Sequence, residues 1–132
     1  MAVAARRWCQ CAAVLLALAT LIGALGAHVL RSRLDAPHYQ VLQTALQYQF
    51  FHALGLFGLG LLLERAPRRS LQRAAWLLLC GVLLFSGSIY LLLAGAPHVI
   101  GVLTPLGGLA LIVGWILVAI GLAGAAPGAR QA

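Results

Sequence analysis

The sequence predicts an all-α, polytopic membrane protein, a bundle of four transmembrane helices with both termini in the cytoplasm (N-in/C-in). Hydrophobic residues make up 63% of the 132 residues and charged residues only 8%, whereas soluble domains are about half apolar and about a quarter charged. The mean hydropathy is +1.00. Four apolar runs follow one another along the chain, each of about 20 residues, the length that an α-helix needs to cross a bilayer. This composition argues against a soluble enzyme and against a disordered chain.

The four runs predict a single integral membrane domain over residues 1–132, with spans at about 8–30, 44–63, 74–94 and 104–123. Continuous apolar runs without the alternation of barrel strands indicate helices. In the first polar break, Asp35 is expected to cap the second helix, with Pro37 in its first turn. Thr104 and Pro105 are expected to be the N-cap and first residue of the fourth helix.

The basic residues set the expected orientation. All nine are arginine, and the net charge is +7. With the N-terminus inside, two arginines face outward, Arg31 and Arg33, and seven face the cytoplasm: Arg6, Arg7, Arg65, Arg68, Arg69, Arg73 and Arg130. The sequence therefore predicts a multi-pass protein of the cell (inner) membrane whose partner is the lipid bilayer rather than nucleic acid.

A cleaved signal peptide is the alternative interpretation of the first span. Arg6 and Arg7 would form its basic region, and Ala24–Gly26 its cleavage site. The apolar run of about 22 residues is longer than the usual 7–15 of a signal peptide. We therefore expect the first span to be retained.

Few residues are suited to catalysis. The only two carboxylates, Asp35 and Glu64, stand at opposite ends of the second span, so they cannot work as a pair. The three cysteines are expected to be buried apolar thiols, and Cys-x-Cys alone is a weak metal signal. We therefore expect no enzyme activity, no catalytic residue, no metal site and no cofactor.

Polar residues of three spans are expected at similar heights in the outer half of the membrane, at about 1.5 Å per helical residue. This candidate ligand-binding layer comprises His28, Thr44, Tyr48, Gln49, His52, Ser86, Ser88 and Tyr90. We expect His28, Tyr48, His52, Ser88 and Tyr90 to face one another between the first three helices, because polar groups at such depth turn inward. The layer could join helices by hydrogen bonds or form a ligand or proton path. Haem ligation by His28 and His52 is disfavoured, because their heights differ by about 9 Å.

Small residues recur every seven positions in three spans. The fourth span has Gly107, Gly114 and Gly121, and the third has Ala74, Gly81, Ser88 and Gly95. The first has Ala13, Thr20 and Ala27, with Ala17 and Ala24 between them. A seven-residue period of small residues is typical of closely packed helices, so we expect helices 1, 3 and 4 to pack through these stripes.

Five motifs occur in order: Gly23-Ala-Leu-Gly-Ala-His28, Thr44-Ala-Leu-Gln-Tyr-Gln-Phe-Phe-His52, Phe85-Ser-Gly-Ser-Ile-Tyr90, Thr104-Pro-Leu-Gly-Gly108 and Gly114-Trp115. Together they resemble the domain of unknown function 423 family of YgdD-like small inner-membrane proteins, which is similar to the animal transmembrane protein 256. The resemblance covers about residues 12–123, and Leu25, where an aromatic is common, is a conservative departure. It implies a multi-span membrane protein with no established activity, and no catalytic residue is carried over. It also implies that the polar-layer residues, with Thr104, belong to the family pattern.

These observations predict a small membrane protein of unknown activity that acts as a non-enzymatic structural or accessory helix bundle, alone, with copies of itself or with another membrane protein. The alternative is a small binder or carrier of a solute, proton or quinone that uses the polar layer.

Overall fold

The computed structural model describes residues 3–123, and this part of the chain is all-helical. Its four long helices are α1 (Val3–His28), α2 (Ala36–Arg65), α3 (Arg69–Leu93) and α4 (Leu103–Ala123). Short 3-10 turns at Leu30–Ser32 and His98–Val102 join α1 to α2 and α3 to α4. All four helices are long and apolar enough to cross a membrane, which confirms the predicted all-α fold with four helices of membrane-spanning length.

The chain forms two antiparallel helical hairpins, α1–α2 and α3–α4. The contacts within each hairpin are the most extensive in the molecule, and α2 packs against α3 to join the two hairpins. The largest fully buried apolar side chains include Leu56 of α2 and Leu71 and Leu78 of α3. The main core cluster contains buried residues of all four helices, among them Trp8 of α1 and Leu111 of α4.

The ends of the helices are fixed by local hydrogen bonds. Asp35 is the N-cap of α2, as predicted, and its carboxylate accepts a hydrogen bond from the backbone N–H of His38 at 2.9 Å. α3 ends in a Schellman motif around Gly95, whose φ of +92° lies in the region that favours glycine. α4 begins at Leu103, one residue before the expected N-cap Thr104, so Thr104 and Pro105 both lie in its first turn.

We expect the Asp35 cap to make stability depend on pH. The backbone hydrogen bond from His38 holds the pKa of the Asp35 carboxyl below its usual 3.8, and contacts with the His38 ring add to this shift. A carboxylate whose pKa is lowered by folding stabilises the protein above the unfolded pKa, and this contribution is lost as the pH falls through the folded pKa. The melting temperature should therefore fall on acidification below about pH 4. Asp35→Asn keeps an N-cap acceptor but does not titrate, so its melting temperature, followed by circular dichroism, should fall less. An identical acid dependence in both proteins would contradict the assignment.

Glycines bring α3 and α4 together, as predicted from their seven-residue spacing. A Cβ atom on Gly107 would lie 2.4 Å from the backbone nitrogen of Phe85, and one on Gly121 would lie 2.6 Å from Leu71 Cδ2. Gly81 and Gly114 are also buried at this interface, against Leu111 and Leu78. Side chains at these positions would hold the two backbones apart.

The predicted stripe of α1 is wrong. All five of its members are exposed, namely Ala13, Ala17, Thr20, Ala24 and Ala27. The small residues that α1 buries are Ala5, Ala12, Ala19 and Gly26, which also recur every seven positions. The two series differ by one residue, a rotation of about 100° around the helix.

The arginines lie at the two ends of the bundle. The N-terminal turn of α1 and the α2–α3 connection meet at one end, which carries Arg6, Arg7, Arg65, Arg68, Arg69 and Arg73 and which we call the arginine-rich end. Arg68 donates a hydrogen bond of 2.7 Å to the backbone oxygen of Gly121, and this cation stabilises the carboxyl end of α4. Arg130 and the other residues after Ala123 lie outside the described residues.

The cysteines do not share one environment. Cys9 is buried, as predicted, and its thiol lies 3.7 Å from the backbone oxygen of Phe57. Cys11 and Cys80 are exposed on the membrane-facing surface, so the prediction is wrong for these two. In an apolar helix the buried face and the lipid-facing face have the same polarity, so the sequence does not show on which face a cysteine lies.

Candidate functional site

The structure divides the eight predicted layer residues among separate surroundings. Four lie in the interior and join helices: Gln49, Ser86, Ser88 and Tyr90. Tyr48 and His52 lie on the membrane-facing side of the bundle. Thr44 donates a hydrogen bond to a backbone oxygen of its own helix, and His28 is exposed at the end of α1. The residues therefore do not form the single facing layer that the sequence predicts.

Gln49 is the centre of the interior hydrogen bonds. Its side chain is 4% exposed, and its Nε2 donates to the backbone oxygen of Leu15 in α1 at 2.8 Å. Its Oε1 accepts a hydrogen bond of 2.7 Å from the hydroxyl of Tyr90 in α3. One side chain of α2 thus connects three helices.

Two serines complete the interior set. Ser86 donates to the backbone oxygen of Ala45 in α2 at 2.7 Å. The hydroxyl of Ser88 lies 2.7 Å from that of Thr104, so this pair connects α3 to α4. Within residues 3–123, every buried side-chain nitrogen or oxygen has a hydrogen-bond partner. For the interior residues that partner is a backbone oxygen or another side chain of the bundle.

His28 does not face the other predicted residues. It is exposed in the last turn of α1. Gly26, two residues earlier, faces α2, since a Cβ there would lie 3.2 Å from Leu42 Cδ2. Two residues turn a helix by about 200°, so His28 points away from the interior.

Tyr48 and His52 lie on a different face of α2 from Gln49. Tyr48 is 39% exposed, and its ring stacks on that of Phe85 in α3, with centroids 4.2 Å apart. The His52 ring lies 5.5 Å from the Tyr48 ring and 6.2 Å from the Trp115 ring of α4. The expectation that Tyr48 and His52 face α1 is therefore wrong, because one residue along the helix turns the side chain by about 100°.

These rings line a groove, which we call the α2–α4 groove. Its volume is about 390 Å³. Its lining residues are Tyr48, Phe51, His52, Phe85, Gly108, Leu111, Ile112 and Trp115. Sequence reasoning missed Phe85 and Trp115 as site residues. The sequence signal that could have found Trp115 was Gly55, which lies on the same face of α2 as Tyr48 and His52. The Trp115 ring packs against this glycine, and a Cβ atom there would lie 2.6 Å from the ring.

The groups that bear on catalysis are far apart. Asp35 and Glu64 lie at opposite ends of α2, about 43 Å from each other along the helix. In residues 3–123, no three His, Cys, Asp or Glu side chains come together in a way that could hold a metal ion. The interior polar side chains of the described chain instead make hydrogen bonds between helices.

Comparison with known proteins finds membrane proteins of unknown function. The family described as "Protein of unknown function (DUF423)" matches residues 22–108. The chain is 40% identical over 104 residues to the UPF0382 membrane protein YwdK of Bacillus subtilis (strain 168), covering 78% of this chain and 85% of that protein. It is 36% identical over 100 residues to the UPF0382 inner membrane protein YgdD of Escherichia coli (strain K12), covering 76% of each chain. No solved structure matches.

Proposed function

This chain belongs to the DUF423 family of membrane proteins, a family of unknown function, and from that premise we propose that it is a non-enzymatic structural or accessory helix bundle of the cell membrane. The observation that carries the proposal is the set of hydrogen bonds around Gln49, which joins α1, α2 and α3. Polar side chains used in this way fix the packing of helices in a bilayer, where apolar side chains have no preference for the interior.

The same hydrogen bonds argue against a carrier that uses the interior polar residues, which we call the interior layer: Gln49, Ser86, Ser88 and Tyr90. A transported solute or proton needs polar groups that exchange their partners. Gln49, Ser86 and Tyr90 are each held to a backbone oxygen or to one another at 2.7–2.8 Å. Ser88 is held to Thr104 in the same way, so the interior residues serve the bundle itself.

Reconstitution into liposomes tests the structural role. Vesicles that contain the full-length protein, an internal pH-sensitive dye and a pH gradient should lose protons no faster than protein-free vesicles. Proton flux above that background, abolished by Tyr90→Phe, would instead establish a path through the interior layer. Tyr90→Phe keeps the ring and removes the hydroxyl that bonds Gln49.

Purification tests the accessory role. We propose that the partner of the bundle, besides lipid, is a second copy or another membrane protein. After extraction from its own membrane in a mild detergent, the chain should run with a partner present in comparable amount. Recovery as a lone monomer under conditions that preserve other membrane complexes would contradict an accessory role.

We propose that both termini face the cytoplasm, since the arginine-rich end gathers six of the nine arginines and Arg31 and Arg33 lie at the other end. A reporter that works only in the cytoplasm should be active when fused after Arg130 and inactive when fused after Arg33. Extracytoplasmic activity of the Arg130 fusion would overturn the four-span topology. A mature chain that begins near Ala27 would show instead that α1 is removed.

A further inference from the structure

The α2–α4 groove carries polar side chains near the middle of the membrane, on a face turned toward lipid. His52 lies about 24 Å from the start of α2 and about 20 Å from its end. Trp115 is 42% exposed and Tyr48 is 39% exposed. Tyrosine and tryptophan ordinarily occupy the membrane–water interface, where their polar atoms reach water. Trp115 lies about 18 Å from the start of α4 and about 12 Å from its end, so its presence at mid-depth beside a histidine calls for another partner.

The hydrogen bonds of His52 define what that partner offers. His52 Nδ1 lies 2.7 Å from the backbone oxygen of Tyr48. A carbonyl oxygen carries no hydrogen, so Nδ1 is the donor. In the neutral ring Nε2 is then an acceptor. In the part of the chain that the structure describes, His52 Nε2, the Tyr48 hydroxyl and the Trp115 indole N–H have no hydrogen-bond partner. Hydrocarbon supplies none either.

Aromatic rings form much of the wall of the groove. The Tyr48 and Phe85 rings are stacked with an interplanar angle of 19°, and those of Tyr48 and His52 with an angle of 25°. Trp115 is tilted by 51° from His52 and is held in place against Gly55. A volume of about 390 Å³ is within the range of small-molecule sites, and the groove opens toward lipid, so a long apolar tail can remain in the bilayer.

We propose that the α2–α4 groove binds a membrane-soluble amphiphile of the hydroquinone class, that is, an aromatic ring with two hydroxyl groups and an apolar tail. One hydroxyl donates to His52 Nε2, and the other accepts from the Trp115 indole N–H. The ring lies along the wall that Tyr48 and Phe85 form. This is a binding function in addition to the structural one, and it involves none of the interior hydrogen bonds.

Binding is measured on the full-length protein in phosphatidylcholine nanodiscs by titration calorimetry with ubiquinol-1, against empty nanodiscs. The comparison probes are its oxidised form, ubiquinone-1, and its bis-methyl ether, which keeps the ring but has no hydroxyl donor. Loss of one hydrogen bond to a site shielded from water weakens binding by about tenfold. We expect ubiquinol-1 to bind at least about tenfold more tightly than either comparison probe.

The variant that tests the acceptor is His52→Phe, which keeps a ring beside Tyr48 and removes Nε2. Its affinity for ubiquinol-1 should fall by about tenfold, and Trp115→Phe should weaken binding in the same direction. His28→Phe is the matched control, because it removes an exposed histidine of α1 far from the groove, and it should leave the affinity unchanged. The melting temperature of His52→Phe should also stay unchanged, since the hydrogen bond of His52 lies within its own helix and phenylalanine keeps a ring beside Tyr48 and Trp115.

Three results would overturn the proposal. They are no heat of binding beyond that of empty nanodiscs, equal affinity for ubiquinol-1 and its methyl ether, and unchanged affinity in a folded His52→Phe variant. None of them bears on the proton-flux test of the interior layer, so the two proposals fail independently.

Discussion

Replacing Gly107 by alanine should lower the free energy of unfolding by about 2–3 kcal/mol, the largest effect expected of so small a change. The added Cβ would stand 2.4 Å from the backbone nitrogen of Phe85 and 2.9 Å from both Leu84 C and Gly81 O. All three are backbone atoms, which cannot rotate aside as a side chain does. α4 therefore has to move away from α3 and lose contact along the interface. Denaturant or thermal unfolding in detergent micelles, followed by circular dichroism, measures the change.

The matched control is Gly87→Ala in α3. A Cβ at Gly87 meets no atom within 4 Å, and alanine favours a helix over glycine by about 0.5–1 kcal/mol. This variant should be as stable as the wild type or slightly more so. Gly114→Ala should fall between the two, because its Cβ meets only side-chain atoms of Leu77 and Leu78, at 3.0–3.3 Å. Equal stability of the Gly107 and Gly87 variants would show that the close approach of α3 and α4 is not what the glycines provide.

Gln49→Leu is expected to have the second largest effect, a loss of about 2 kcal/mol. Leucine is an apolar side chain of similar volume that makes neither hydrogen bond. The bond to Leu15 O disappears, and the Tyr90 hydroxyl keeps its place without its acceptor. The same unfolding measurement applies. The control is Gln40→Leu, at an exposed position nine residues earlier in α2, which should change the free energy of unfolding little.

A double-mutant cycle isolates the bond between Gln49 and Tyr90. Tyr90→Phe removes the hydroxyl that Gln49→Leu leaves unpaired. The double variant should therefore be more stable than the sum of the two single losses predicts, by about 1 kcal/mol. Simple additivity would mean that the two side chains do not depend on each other.

The sequence predicted the features that depend on local signals. The polar breaks set the four spans, Asp35 has the residue type and position of an N-cap, and the glycines of α4 recur at Gly107, Gly114 and Gly121 on one side of a single helix. Each of these follows from a few neighbouring residues. No knowledge of the other helices is needed to find them.

Which side of α1 and of α2 faces the interior of the bundle could not be predicted. In a bilayer the interior and the lipid are both apolar, so hydropathy does not distinguish Ala12 and Ala19, which are buried, from Ala13 and Ala17, which are exposed. Position along a helix likewise gives the height of a side chain and not its direction. Tyr48 and Gln49 share a height, yet one lines the groove and the other bonds α1 and α3.

The division into two helical hairpins determines the order in which the protein is completed during translation. All residues of α1 and α2 precede α3 in the chain, so the bond from Gln49 to Leu15 can form before the second hairpin is in place. Tyr90, which donates to the other end of the same amide, is synthesised only later. Proteins emerge and fold from the N-terminus during synthesis, and within the first hairpin alone Gln49 Oε1 lacks the donor that Tyr90 supplies. Docking of the second hairpin therefore completes the hydrogen bonds of Gln49, and one side chain couples the two hairpins.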